Sequence, residues 1–207
     1  MQNLSAPAIV CGTRPHGETA VIARLLTREH GMYAAYLAGG RGRQLRPVLV
    51  PGNLVAAEFS SRSESQLPFA RLELVESRGP WLGEPLAAAA INWATALAAT
   101  ALPERQPYPA LHEALSALLD AVCHAPSARG WAAALAGYEA LLLRELGYGT
   151  PDPRPAPDDF AAILGALDHL GPLLSRYVLA ERRSGVKGAD IMAARAILRD
   201  RLGKIAP

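Results

Sequence analysis

The strongest constraint on the fold is a change of rhythm at Ser77-Arg78-Gly79-Pro80. Before it, apolar residues come in short runs, each closed by a polar or glycine-containing link. After it, they come in long alanine- and leucine-rich stretches with helical spacing. Short period-two runs make strands and long runs at 3.6-residue spacing make helices, so the chain predicts a β part followed by an α part. With 207 residues, half of them hydrophobic, it is long enough for one large domain or two small ones.

Five strands are predicted in the first part. Ala8-Ile9-Val10-Cys11-Gly12-Thr13-Arg14 runs into the turn Pro15-His16-Gly17. Thr19 to Leu26 follows, then the connection Thr27-Arg28-Glu29-His30-Gly31, then Met32 to Ala38. Leu54 to Ser60 is the fourth strand. Phe69 to Glu76 is the fifth, with Ala70, Leu72 and Leu74 on one face and Arg71 and Glu73 on the other, a strand with one face wet. So small a sheet avoids exposed edges by closing on itself, so the predicted fold class is α+β: a small five-stranded β-barrel over residues 1–80, then an all-α domain over 81–207.

In the second part, Leu86 to Leu102 is apolar almost all round, and Pro85 suits the first turn of its helix. Leu111, Leu115, Leu118, Leu119 and Val122 mark a second helix, and Gly130 to Leu146 a third, capped by Gly147. Residues 150–157 contain four prolines and read as an extended link. Helical pattern resumes at Asp158, with Gly171-Pro172 as a break or bend before the stripe Leu173, Leu174, Tyr177 and Val178. Ile191, Ala194, Leu198 and Leu202 mark the last helix, with Arg195, Arg199, Arg201 and Lys204 outside that stripe.

Several function classes leave no trace. The two cysteines, Cys11 and Cys123, sit far apart in apolar stretches and read as buried reduced thiols. No metal-ligand spacing, nucleophile elbow or phosphate-cradling Gly-Lys loop occurs, and the paired acids Glu104/Glu113 and Asp158/Asp159 read as solvated carboxylates. The expectation is therefore a protein with no catalytic residues, no metal and no cofactor. No basic leader precedes an apolar run, and Leu86 to Leu102 is too short and too weakly apolar to span a bilayer, so a cytoplasmic protein without membrane partners is expected.

Gly39-Gly40-Arg41-Gly42-Arg43-Gln44-Leu45-Arg46-Pro47 points elsewhere. It holds three arginines and no acid. Clustered guanidinium groups repel one another unless an anion is present. Residues 1–80 carry nine Lys/Arg against six Asp/Glu, whereas residues 81–207 carry twelve against thirteen. Small barrels bind single-stranded nucleic acid across one face, with cations along the backbone and aromatics stacked on bases. Arg14, Arg24, Arg28, Arg41, Arg43 and Arg46 are the candidate phosphate contacts. Tyr33 and Tyr36 are candidate stacking residues, but three residues apart on a strand they point to opposite faces. The plain alternatives are a solvated turn and two packed tyrosines.

The stretches Arg14-Pro15-His16-Gly17-Glu18-Thr19 and Leu25-Leu26-Thr27-Arg28-Glu29-His30-Gly31, then the glycine and arginine loop, resemble the N-terminal domain of the RecO family of DNA repair proteins. Glu139 to Leu146 followed by Gly147-Tyr148-Gly149 resembles the end of a helix in that family's second domain. The resemblance implies an oligonucleotide-binding (OB) fold followed by helices, in a bacterial, nucleoid-associated protein. It implies a non-enzymatic recombination mediator that binds single- and double-stranded DNA, anneals complementary strands, and works with RecR to load RecA on DNA coated by the single-strand-binding protein SSB. It further implies that the SSB C-terminal tail is a partner of the helical domain. An acidic tail ending in an aromatic residue needs an apolar groove with cations at its rim, and Arg176, Tyr177, Arg182, Arg183 and Lys187 are the candidates. Many members carry a four-cysteine zinc site after the Leu-Gly-Tyr-Gly position, where this chain has Thr150 to Pro157 and no cysteine. Zinc is therefore not carried over. An RNA-binding OB fold and a protein scaffold that binds no nucleic acid are the rival readings.

Overall fold

A computed structural model describes residues 2–63, 66–149, 159–179 and 188–205. The chain divides into two compact units, residues 1–83 with 102–109, and residues 84–101 with 110–207.

The first unit is a five-stranded barrel of β1 (Gln2–His16), β2 (Ala20–Thr27), β3 (Gly31–Leu37), β4 (Leu54–Ser61) and β5 (Phe69–Glu76). It closes in the order β1-β2-β3-β5-β4, an OB fold. β1 begins six residues earlier than its apolar pattern predicts. Its first half pairs with β4, from Gln2 opposite Ser61 to Ile9 opposite Leu54, and its second half pairs with β2, from Ala8 opposite Thr27 to His16 opposite Ala20. The register shifts between Val10 and Gly12, and this bulge bends the strand from one partner to the other. Closure between β3 and β5 rests on one parallel pair, Tyr36 opposite Phe69, with the Tyr36 N–H donating to the Pro68 carbonyl at 2.8 Å.

Alternate residues fill the barrel: Ala8 and Val10 from β1, Val21, Ala23 and Leu25 from β2, Ala35 and Leu37 from β3, Val55, Ala57 and Phe59 from β4, and Leu72 from β5. Val48 and Leu49, which follow the arginine loop, join the same core. Each buried side chain of this size is worth about 1.5–3 kcal/mol, enough to hold the end of the loop onto the barrel. Asn53 fixes the exit: its buried amide donates to the Pro47 and Val48 carbonyls at 2.8 and 3.1 Å, and its side-chain oxygen accepts from the Arg78 N–H at 2.7 Å.

Residues 102–109 complete this unit. The Arg105 N–H donates to the Met32 carbonyl at 2.9 Å, beside a parallel bridge of Met32 to Glu104. Gly31 lies under this segment with φ of +75°, and a Cβ there would stand 2.1 Å from the Gln106 carbonyl oxygen, so only glycine fits.

The second unit contains α1 (Pro85–Ala101), α2 (Pro109–His124), α3 (Ala132–Glu145), α4 (Phe160–Leu173) and α5 (Gly188–Gly203). Asp159, expected to be a solvated carboxylate, caps α4 by accepting the Ala162 N–H at 2.9 Å. Gly171-Pro172 does not break the helix. α4 runs through both residues and widens into a π-helical turn over Leu174–Leu179.

The stripe of α5 is also different from the expected one. Ala194 is exposed, whereas Arg195 is buried among Ile191, Leu198 and Leu202. Arg195 reaches Glu139 of α3 through Nε at 2.9 Å and Nη2 at 2.6 Å, and also donates to the Leu167 carbonyl of α4 at 2.6 Å. The indole N–H of Trp93 on α1 donates to the same carboxylate at 2.8 Å. Four helices thus meet at one buried ion pair. Burial pushes the Glu139 carboxyl up from its ordinary pKa, while Arg195 and the indole donor pull it back.

Candidate nucleic-acid interface

The site grows from the barrel's pleat. Paired residues of neighbouring strands share a face, and β-register aligns Arg14, Ile22, Tyr36 and Phe69 across β1, β2, β3 and β5. Tyr33 and Tyr36 do point opposite ways. Tyr33 packs inward, 4.7 Å from the Phe59 ring. Tyr36 lies in the outer row, with its ring 5.8 Å from His16 and 5.0 Å from Phe69, both edge-on. Phe69 is 58% exposed, an unusual cost for so large an apolar ring unless something stacks on it. Phe69 is not among the candidates from sequence, although the alternation of Ala70, Leu72 and Leu74 puts it on the wet face with Arg71.

Residues 38–49 carry the arginine loop, which follows β3. The loop is not an open glycine coil. Gly40, Gly42, Arg46, Val48 and Leu49 all donate backbone hydrogen bonds within it or to Leu37. The Arg41 N–H donates to the Thr19 carbonyl at 3.0 Å, and its guanidinium to the Glu18 carbonyl at 2.9 Å, so the β1–β2 turn braces the loop. Gly40 is required by packing, since a Cβ would meet Val21 Cγ2 at 2.4 Å. Arg41, Arg43 and Arg46 are nonetheless exposed, as is Arg14. A groove of about 1050 Å³ is lined by Phe69 and Arg71 of β5, Glu58 of β4, and Gln44 and Leu45 of the loop.

Two predicted contacts fall elsewhere. Arg24 is largely covered: it pairs with Glu104 at 3.1 Å and donates to the Leu102 carbonyl at 3.0 Å. Arg28 is exposed, but it sits in the turn after β2. The whole of β2 separates it from the arginine loop, roughly 25 Å at the usual rise of a strand. Neither lies with Arg41 and Arg46, the two candidates that line one cavity.

In the helical unit, Tyr177 stacks on Tyr148 with ring centroids 5.1 Å apart, and the Arg176 guanidinium lies 5.2 Å from the Tyr177 centroid. Arg182, Arg183, Lys187 and the proline-rich link lie outside the described residues. Cys11 and Cys123 are buried and not joined in a disulfide, and burial pushes the Cys11 thiol up to about 12. Among the described residues no group of three His, Cys, Asp or Glu could hold a metal, and no helix is long and apolar enough to cross a membrane.

Comparison with known proteins agrees with this architecture. A family profile described as "Recombination protein O N terminal" matches residues 1–78, and one described as "Recombination protein O C terminal" matches residues 82–151. DNA repair protein RecO of Rhodospirillum centenum is 47% identical over 143 residues, 69% of this chain and 56% of that protein. DNA repair protein RecO of Phenylobacterium zucineum is 44% identical over 143 residues, 69% of this chain and 58% of that protein. That of Paracoccus denitrificans is 40% identical over 145 residues, 70% and 59% respectively. The chain thus spans under two thirds of the length of these relatives. The two profiles together cover most of the chain: it belongs to the RecO family.

Proposed function

We propose that this chain is a DNA-binding recombination mediator with no catalytic chemistry of its own. Arg14, Arg41, Arg43 and Arg46 contact backbone phosphates, and Tyr36 and Phe69 stack on bases of a single strand. The observation that carries this reading is the row Arg14, Tyr36 and Phe69 in register across the barrel, together with three exposed arginines on the loop that follows β3. Phosphate contacts carry no sequence information, and stacking tolerates any base, which suits a protein that works anywhere on DNA. Annealing needs two strands brought together with their charge screened, and no bond is made or broken. The names of the relatives support a role in DNA repair.

On this reading the protein binds single- and double-stranded DNA, anneals complementary strands, and acts with RecR to load RecA on SSB-coated DNA. Gel shifts with single-stranded DNA, duplex DNA and RNA of one length, together with an annealing assay, test it. DNA binding with annealing is the expected result. Preference for RNA, or no nucleic-acid binding, overturns it.

A second proposal places the SSB C-terminal tail on the helical unit near Arg176 and Tyr177, with Arg182, Arg183 and Lys187 as further cations. The stack of Tyr148, Tyr177 and Arg176 favours it, because it offers an aromatic surface beside a positive charge. A labelled tail peptide should bind, and Arg176→Ala with Tyr177→Ala should weaken it about tenfold or more, as expected for losing one cation and one aromatic anchor. Unchanged binding rules this placement out.

A further inference from the structure

At the base of the arginine loop a cavity of about 390 Å³ is lined by Thr13, Gly40, Arg41, Arg46 and Leu49. Two of its five lining residues are arginines and none is an acid. Arg43, two residues from Arg41, is not among them. The turn explains this selection. The Arg46 N–H donates to the Gly42 carbonyl at 3.1 Å, which folds the loop back and brings Arg41 and Arg46 to one space, with Arg43 inside the turn between them in sequence.

The cavity is also stiff. The Arg41 guanidinium is held on the Glu18 carbonyl, Gly40 packs against Val21 too closely for any side chain, and Leu49 is buried in the barrel core. Among the described residues, neither Arg41 nor Arg46 is ion-paired with a carboxylate. Two guanidinium groups at one cavity repel each other until an anion lies between them. Their forked donors and the Thr13 hydroxyl match the several oxygens of a phosphate. Little ordering is needed on binding, because the wall is already built.

We propose that this cavity is a discrete phosphate subsite that takes one phosphate group, held by Arg41, Arg46 and the Thr13 hydroxyl, while Arg43 lies outside it and meets the DNA backbone separately. That the phosphate belongs to a DNA backbone rests on the function proposed above. The alternative is a loop in which all three arginines act as equivalent charges.

Titration of the whole chain with inorganic phosphate, at ionic strength held constant with sodium chloride and followed by backbone amide NMR, tests the subsite. The expected result is a saturating shift of Gly40, Arg41 and Leu49. Arg46→Gln should weaken the midpoint about tenfold or more, as for loss of a charge-assisted hydrogen-bond partner, and Thr13→Val should weaken it by a smaller factor. Arg43→Gln removes the same charge and should keep the saturating shift. Shifts that stay linear, or equal losses in Arg43→Gln and Arg46→Gln, overturn the subsite. The wild-type titration alone decides this if a variant fails to fold. A parallel titration with a short oligothymidylate separates the two claims. Binding of the oligonucleotide without a saturable phosphate shift removes the subsite and leaves DNA binding standing. A saturable phosphate shift without oligonucleotide binding keeps the subsite, identifies free phosphate as its ligand, and removes the DNA reading.

Discussion

Arginine does opposite work in the two units. In the helical unit, Arg195 is 7% exposed and gives its donors to a buried carboxylate and a helix carbonyl. In the barrel, Arg41, Arg43 and Arg46 are exposed on a loop with no acid in it. The residue type is the same, and the surroundings decide the role. A guanidinium whose partners lie within its own fold is structural. One held by backbone contacts but left without a carboxylate is prepared for an anion from outside.

The largest effect that would sharpen this contrast lies in the helical unit. Arg195→Met leaves Glu139 buried and unpaired, and should cost about 3–5 kcal/mol in urea unfolding. The cost depends on pH in a defined direction. With Arg195 gone, burial raises the folded pKa of Glu139 further above its unfolded value. The folded state then binds its proton at higher pH than the unfolded one, so the deficit is largest above that pKa and shrinks as pH falls through it. A deficit that grows in acid would contradict an unpaired carboxylate.

Smaller effects belong to the barrel. Gly40→Ala drives a methyl into Val21 and should cost about 1–3 kcal/mol, as overpacking does. Adding Val21→Ala should recover part of that loss, and a strictly additive double variant would contradict the packing account. Phe69→Ala should weaken single-strand binding by about 1–3 kcal/mol if a base stacks on the ring, with less effect on duplex DNA, as competitive gel shifts would register. The smallest effect is expected at Arg24. Its ion pair with Glu104 is partly exposed, so Arg24→Ala should change stability by about 1 kcal/mol or less and leave DNA affinity nearly as it was. A large loss of DNA binding would return Arg24 to the interface.

The barrel was legible because its strands alternate and end in turn residues. Phe69–Glu76 has the bounds the pattern predicts, although Leu74, expected on the dry face, is exposed and only Leu72 of that face is buried in the barrel. The first half of β1 was not, since Pro7 and the polar Gln2, Asn3 and Ser5 look unlike a strand, and their pairing with β4 lies some fifty residues away in sequence. Arg195 was misplaced for a related reason. Helical spacing fits Ala194 as well as Arg195, and only Glu139, far back on α3, decides between them. At the interface, the arginine cluster could be read from composition alone. What could not be read was that Arg24 meets Glu104, or that the loop folds back on itself. Both depend on contacts between segments distant in the chain.

The salt dependence of single-strand binding tests the arginine loop most directly. Replacing Arg41, Arg43 and Arg46 together by alanine should lower affinity and flatten the log–log slope by about two units, at roughly 0.7 per lost phosphate contact. An unchanged slope in the triple variant would mean that the loop does not meet the DNA backbone, whatever happens to the affinity.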